Sequence, residues 1–409
     1  MAEVKGKSRI AVIGGGLVGA LAACFLAKRG HRVVIYEYRS DIRLENSLGQ
    51  SINLALSVRG REALRAIGLE DALVKCHGSR MRGRMLHDKN GNLKEIFYDS
   101  VKGNCIYSVS RRHLNVVLLD DRVRVSSVRK SSLPCLISND NALCVKPQEF
   151  TCLILPAFFI RSYVANMISA AEEYPEVQLN FNRKLVDADL EKGRMKFLNM
   201  ETGAIEDVET DLIIGADGAY SRVRKIMAKR PLFNYAQTYI EHGYVEISVP
   251  SGKKNECKPY HVGKTALIVG DAAHAMVPFY AQGMNAGFED ILLLDELMER
   301  YNSDFAKVLP KFSELRCDDG HAICDLAMYN YLEMRDLVTK KSFLVRKFLD
   351  NFLYTYIPNC WVPLYSSVHF TRMSFRDCIA HREWQNKVLR TSVWSFGALI
   401  LAILIILFI

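Results

Sequence analysis

Gly14, Gly16 and Gly19 stand in the spacing G-x-G-x-x-G between an apolar run, RIAVI, and a helical pattern, LVGALAACFLAKRG. Glu37 ends the next apolar run, 18 residues after Gly19. Each residue type has a task in holding a pyrophosphate. The first glycine permits a tight turn, the second lets backbone approach the phosphates, and the third lets helix and strand pack closely. The helix N-terminus adds free N–H groups and the positive end of its dipole. A carboxylate at position 37 accepts hydrogen bonds from a ribose diol. The pattern predicts a bound dinucleotide. By itself it does not separate FAD from NAD, and a tight glycine turn in an unrelated α/β fold would share it.

Two later turns bear on that choice. In DLIIGADGAYSRVR, Asp217 and Gly218 follow a strand pattern, and Ser221, Arg222 and Arg224 open a helix. In TALIVGDAAHAMVPFYAQGMNAGFED, Asp271 follows a second apolar run, and Pro278, Gln282, Gly283, Asn285 and Gly287 precede a long helix. A carboxylate at a strand end suits the ribityl hydroxyls of a flavin. Met284 and Asn285 would offer backbone N–H groups where negative charge gathers on a reduced flavin. Either aspartate alone also reads as a helix N-cap; the three turns in this order favour the flavin. His274 is read as a structural hydrogen-bonder in preference to a base.

These residues need a scaffold. Residues 9–14 and 31–37 read as strands around one helix, the opening of a parallel sheet buried on both faces. Residues 57–75 read as helix, and 84–110 as short strands with a turn at Asn90-Gly91. A helix, turn and strand begin at 164; strand, turn and helix occupy 208–225; helices dominate 261–300 and 303–355. The class is α/β. Expected segments are 1–119 and 164–249, carrying the dinucleotide fold and substrate-side strands, and 263–390, carrying the GD turn and a helical region. Between them stand an irregular insertion at 120–163 and a short connection at 250–262.

The net charge of +9 is spread without a run of five basic residues, which argues against a nucleic-acid partner. Eleven cysteines include no C-x-x-C pair, so neither zinc nor a dithiol redox site is indicated, and reduced thiols are expected. The last 19 residues, 391–409, contain no charge. As a helix they would extend about 28 Å, near one hydrocarbon thickness, and Arg382, Lys387 and Arg390 precede them. The expectation is a C-terminal transmembrane helix contacting membrane lipid, its basic flank on the cytosolic side.

The stretches AVIGGGLVGALAACFLAKRG, SINLALSVRGREALRAIGLED, IYSVSRRHLN, LIIGADGAYSRVR, GDAAHAMVPFYAQGMNAGFED and DLAMYNYLEMR together resemble the single-component flavoprotein aromatic hydroxylases. Within that group the chain is most similar to the kynurenine 3-monooxygenase family, over roughly three quarters of its length. The resemblance implies a Rossmann-like FAD-binding domain with FAD bound, NADPH as a transient reductant, O2 as oxidant and L-kynurenine as substrate. It implies hydroxylation through a flavin C4a-hydroperoxide to 3-hydroxykynurenine, and a mitochondrial outer-membrane location facing the cytosol. Only one G-x-G-x-x-G exists, so no second dinucleotide domain serves NADPH. Carried over position by position, Arg84 matches the partner of the substrate carboxylate, and Tyr98, Asn330 and Tyr365 match polar substrate contacts. Val18, Glu37, Arg39, Ala55, Arg111, Leu185, Asp217, Asp271, Met284 and Asn285 match flavin contacts.

The chain departs from that pattern in three places. The insertion replaces a smooth helix. The dozen residues between HGYVEISVP and TALIVGDAAH stand where the family has most of a substrate-covering sheet, so a truncated β-sheet substrate domain is expected. Ala281 also occupies the place of a usual glycine. A second possibility follows: a flavin-binding chain that is uncoupled or inactive.

Overall fold

The computed structural model of the chain describes residues 7–41, 54–71, 74, 78–87, 91, 93–109, 176–239 and 253–408. Strand β1 (Arg9–Ile13) leads through helix α1 (Leu17–Lys28) to β2 (Arg32–Tyr36), and the strands pair in parallel from Arg9↔Arg32 to Ile13↔Tyr36. Their unbroken apolar runs require cover on both faces. α1 supplies part of it, with every residue from Gly19 to Ala27 buried. Four of these are alanine, which lets the helix sit low on the sheet.

Short elements follow: β3 (Leu54–Leu56), α2 (Val58–Ala66), β4 (Gly78–Met81), β5 (Gly83–His87), β6 (Leu93–Phe97) and β7 (Ile106–Val109). β3, β7 and β4 form one antiparallel sheet, and β5 pairs with β6 as a hairpin closing at His87↔Leu93. Gly91, in that hairpin's turn, has φ +80°. β8 (Val177–Asn180) joins β2 in parallel. β9 (Arg183–Asp189), β10 (Arg194–Asn199) and β11 (Ile205–Glu209) make an antiparallel meander. β12 (Leu212–Gly215) returns beside β1 and delivers the Asp217 turn, which opens α3 (Arg222–Met227).

β13 (Asn234–Tyr239) and β14 (Lys253–Lys258) form a two-stranded antiparallel ladder. β15 (His261–Val262) and β16 (Ala266–Ile268) complete the central sheet in the order β15-β16-β12-β1-β2-β8. Helices then dominate: α4 (Asp271–His274), α5 (Gly283–Arg300), α6 (Phe305–Arg335), α7 (Lys341–Tyr356), α8 (Leu364–Phe370) and α9 (Phe375–Phe408). The main core joins the sheet to α1 and α5, and a second cluster, including Val277, Tyr280, Ile323, Val368 and Phe375, joins the turn before α5 to α6, α8 and α9.

The expected transmembrane helix is corrected. Residues 391–408 are the end of α9, and among the described residues no helix is long and apolar enough to cross a membrane. The apolar run is the end of a longer helix that begins charged and docked on protein. Phe375, Cys378 and Gln385 are buried at helical spacing, so α9 is docked on α6 and α8 by one face. The same helix carries Arg376, Asp377, Arg382, Glu383 and Lys387 along this docked part. The lipid contact inferred from that helix falls with it. The insertion at 120–163, the helix expected from 164 and Arg111 lie outside the described residues.

Candidate active site

The turn from β1 into α1 is built by close approach. Gly14 has φ +103°, and a Cβ there would sit 2.5 Å from the Ala216 carbonyl oxygen. A Cβ on Gly19 would sit 2.0 Å from the Gly14 oxygen. At Gly16 no atom of the described residues lies within 4 Å of the corresponding position, which faces a cleft of about 700 Å³. Glu37, Arg39, Leu185 and Asp217 line the same cleft. Glu37 is buried; its Oε2 accepts from the Gly15 N–H at 2.8 Å, and its Oε1 accepts from Arg39 Nε at 2.7 Å. Asp217 Oδ2 accepts from the Arg222 and Val223 N–H groups at 2.6 and 3.1 Å, so the helix-capping role is real. Its Oδ1 is buried without a hydrogen-bond partner among the described residues. Burial raises the Asp217 pKa, opposed by these hydrogen bonds.

Arg224 ties the two aspartate turns together. Its guanidinium donates to the carbonyls of Ala219 and Ala272, at 2.5 and 2.7 Å. Val18 wedges between the glycines of the second turn: a Cβ on Gly270 or Gly287 would meet its Cγ2 at 3.1 or 2.6 Å. Asp271 is exposed, and desolvation by the neighbouring protein raises its pKa against the charges of His274 and Arg224. His274 Nε2 lies 2.7 Å from Asp290 Oδ2, which also accepts from the Gly270 N–H at 2.8 Å. His274 therefore anchors the turn from beneath.

The Asn285 side chain is fully buried. Its amide donates to the carbonyls of Ala55 and Ala281 at 2.9 and 2.8 Å, and its Oδ1 accepts from the Ser57 N–H at 3.0 Å. It pins β3 against the start of α5. Met284 and Asn285 occupy the first turn of α5, where backbone N–H groups have no intrahelical acceptor. Ala281, before that turn, has φ +52° and ψ +32°, the left-handed conformation that a glycine adopts more easily.

A second cavity holds Arg84, Tyr98 and Tyr365, together with Tyr280 from the turn before α5. The Tyr98 and Tyr365 rings stack with centroids 5.3 Å apart. Burial raises both phenol pKa values, so both stay protonated and able to donate. Asn330 does not line this cavity; its amide donates to the Phe279 carbonyl at 2.9 Å and so holds the same turn from behind. Glu333 lines the cavity and was missed by sequence reasoning. Its pKa is raised by burial, with the Arg84 charge opposing. Asn330 and Glu333 stand i,i+3 on α6, a spacing that could have pointed to it.

The FAD binding domain family matches residues 7–248 and 234–307. Kynurenine 3-monooxygenase of Anopheles gambiae is 42% identical over 465 aligned positions, covering 93% of this chain and 85% of that protein. The Sus scrofa enzyme is 34% identical, covering 96% of this chain and 90% of that protein.

The chain belongs to the kynurenine 3-monooxygenase family.

As a member it is a flavoprotein monooxygenase with FAD as cofactor; NADPH and O2 are the family's usual co-substrates. Among solved structures, p-nitrophenol 4-monooxygenase PnpA from Pseudomonas putida superposes with a TM-score of 0.57 at 15% identity, covering 86% of this chain and 94% of that one. The probable FAD-dependent monooxygenase pqsL of Pseudomonas aeruginosa gives 0.53 at 14%, covering 81% and 97%. These two likenesses establish the fold alone. Both relatives' alignments are longer than this chain, so each relative carries residues with no counterpart here.

Proposed function

We propose that the chain hydroxylates L-kynurenine at the ring position beside its amino group, using NADPH and O2 through bound FAD. The residues fit FAD: among the described residues there is open space over Gly16 and a buried Asp217 oxygen with no hydrogen-bond partner, and the first-turn N–H groups of α5 have no intrahelical acceptor. Glu37 and Asp217 would hold the nucleotide end, Asp271 the ribityl chain, and Met284 and Asn285 the pyrimidine edge. When bound and reduced, the flavin supplies the activated oxygen.

The rest is done by side chains. Arg84 offers a fork to the substrate carboxylate. Glu333 lines the same cavity and suits the substrate ammonium. Tyr98 and Tyr365 donate hydrogen bonds and, with Tyr280, exclude water from the substrate's amino-acid end. The single observation that carries this reading is the convergence of Arg84, Glu333, Tyr98 and Tyr365 on one cavity that shares Tyr280 with the GD segment. Its test is Arg84→Ala, which should weaken kynurenine binding by about tenfold or more while flavin content stays equal to wild type. Equal loss of both would refute the role.

A second reading is an uncoupled flavoprotein that oxidises NADPH and releases hydrogen peroxide. It is favoured by the residues of the relatives that lack a counterpart and by apolar side chains left facing solvent near the substrate cavity. Met85 is 50% exposed, Phe97 46%, Phe348 68% and Phe352 50%. Measuring peroxide yield per NADPH separates the two readings.

A further inference from the structure

Behind the substrate cavity lies another of about 480 Å³, with Tyr329, Phe343, Arg346 and Arg382 lining both. The partition between them is a salt cluster. Asp350, buried, accepts from Arg346 Nε at 3.0 Å, from Arg382 Nη1 at 2.7 Å and from Trp361 Nε1 at 2.9 Å. Two guanidinium groups thus share one carboxylate, and Arg346 Nη2 is buried with no hydrogen-bond partner among the described residues. Asp325 and Glu383 stand in the outer wall, and Phe343 and Tyr329 supply aromatic surface. Cationic, anionic and aromatic groups in one chamber match a zwitterionic aromatic amino acid, the class proposed above for the inner cavity.

We propose that the outer cavity is a second binding site for an aromatic amino acid, a vestibule from which substrate passes to the Arg84 cavity across the Arg346–Asp350–Arg382 partition. The inference rests on the kynurenine reading for the ligand's identity, and deepens it. One of the two guanidinium groups can turn to a ligand carboxylate while the other stays on Asp350, so neither carboxylate is left without a cation during the passage.

The test uses the full chain with FAD bound and L-kynurenine as the probe, by titration calorimetry and by stopped-flow fluorescence of Trp361 and its neighbours. The wild type should bind two equivalents. Arg84→Ala should keep only the outer one. Ile379→Trp fills the outer cavity, and Ser342→Trp narrows it from an exposed position that threatens folding less. Each should keep only the inner equivalent, with association slowed about tenfold and inner affinity changed by less than about twofold. One equivalent in the wild type, with association unaltered by both tryptophan variants, would overturn the vestibule and leave the kynurenine reading standing. One equivalent that survives Arg84→Ala and is lost in both tryptophan variants would keep the outer site and refute Arg84's role. No binding by any form would overturn both.

Discussion

Arg59 Nη1 donates to both carboxylate oxygens of Glu289, at 2.7 and 2.8 Å, inside the protein. The same guanidinium reaches the Val368 carbonyl through Nε at 3.0 Å and lies over the Phe375 ring. One side chain therefore joins α2, α5, α8 and α9, the elements between the flavin turns and the substrate cavity. Arg59→Ala removes the two-oxygen partner of buried Glu289, which keeps, among the described residues, only Arg316 Nη1 at 3.1 Å, and empties a buried side-chain volume. It should destabilise the chain by about 3–5 kcal/mol, read from urea unfolding of the FAD-bound form.

Asp290 gives a pH dependence. Burial alone would raise its pKa; the charges of His274 and Arg316, with the bonds from His274 and the Gly270 N–H, outweigh burial and hold it at about 2 instead of 3.8. A carboxylate with a lowered pKa stabilises the fold fully above its unfolded value. That contribution, about 2 kcal/mol, is lost as pH falls from about 4 through about 2. Unfolding free energies across this range should therefore drop more steeply in the wild type than in Asp290→Asn, which starts less stable.

Ala281 holds a left-handed backbone at φ +52°. Ala281→Gly should raise stability by about 1 kcal/mol, since relief of the Cβ exceeds the entropy that glycine adds to the unfolded chain. A fall in the urea midpoint would contradict the conformation assigned to this turn.

The glycines of the first turn should separate fold from ligand. Gly14→Ala drives a methyl to within 2.5 Å of the Ala216 oxygen and should destabilise the protein even without FAD. Gly16→Ala meets no atom of the described residues within 4 Å and projects into the cleft. It should leave the melting temperature of the FAD-free protein unchanged and weaken FAD about tenfold or more.

Local pattern carried much of the architecture. Unbroken apolar runs around G-x-G-x-x-G announced β1, α1 and β2, and alternation around Gly91 announced the β5–β6 hairpin, because both follow from short-range periodicity. The C-terminal expectation, which weighed nineteen uncharged residues by themselves, is overturned because no described helix is long and apolar enough to cross a membrane; those residues end a helix that begins docked on protein at Phe375, Cys378 and Gln385. Arg59 and Arg224 were opaque in another way. Both look like ordinary surface arginines on their own helices, and only tertiary packing reveals the carboxylate or carbonyls they reach. Asp350 gave no motif, and Glu333, though inside DLAMYNYLEMR, was passed over there; the importance of both comes from elements distant in sequence closing around them.

The most direct measurement is product analysis after aerobic incubation of the purified chain with FAD, NADPH and L-kynurenine. The account predicts 3-hydroxykynurenine that disappears when either NADPH or O2 is withheld and falls sharply in Arg84→Ala. NADPH consumption that yields hydrogen peroxide and no hydroxylated kynurenine would contradict it.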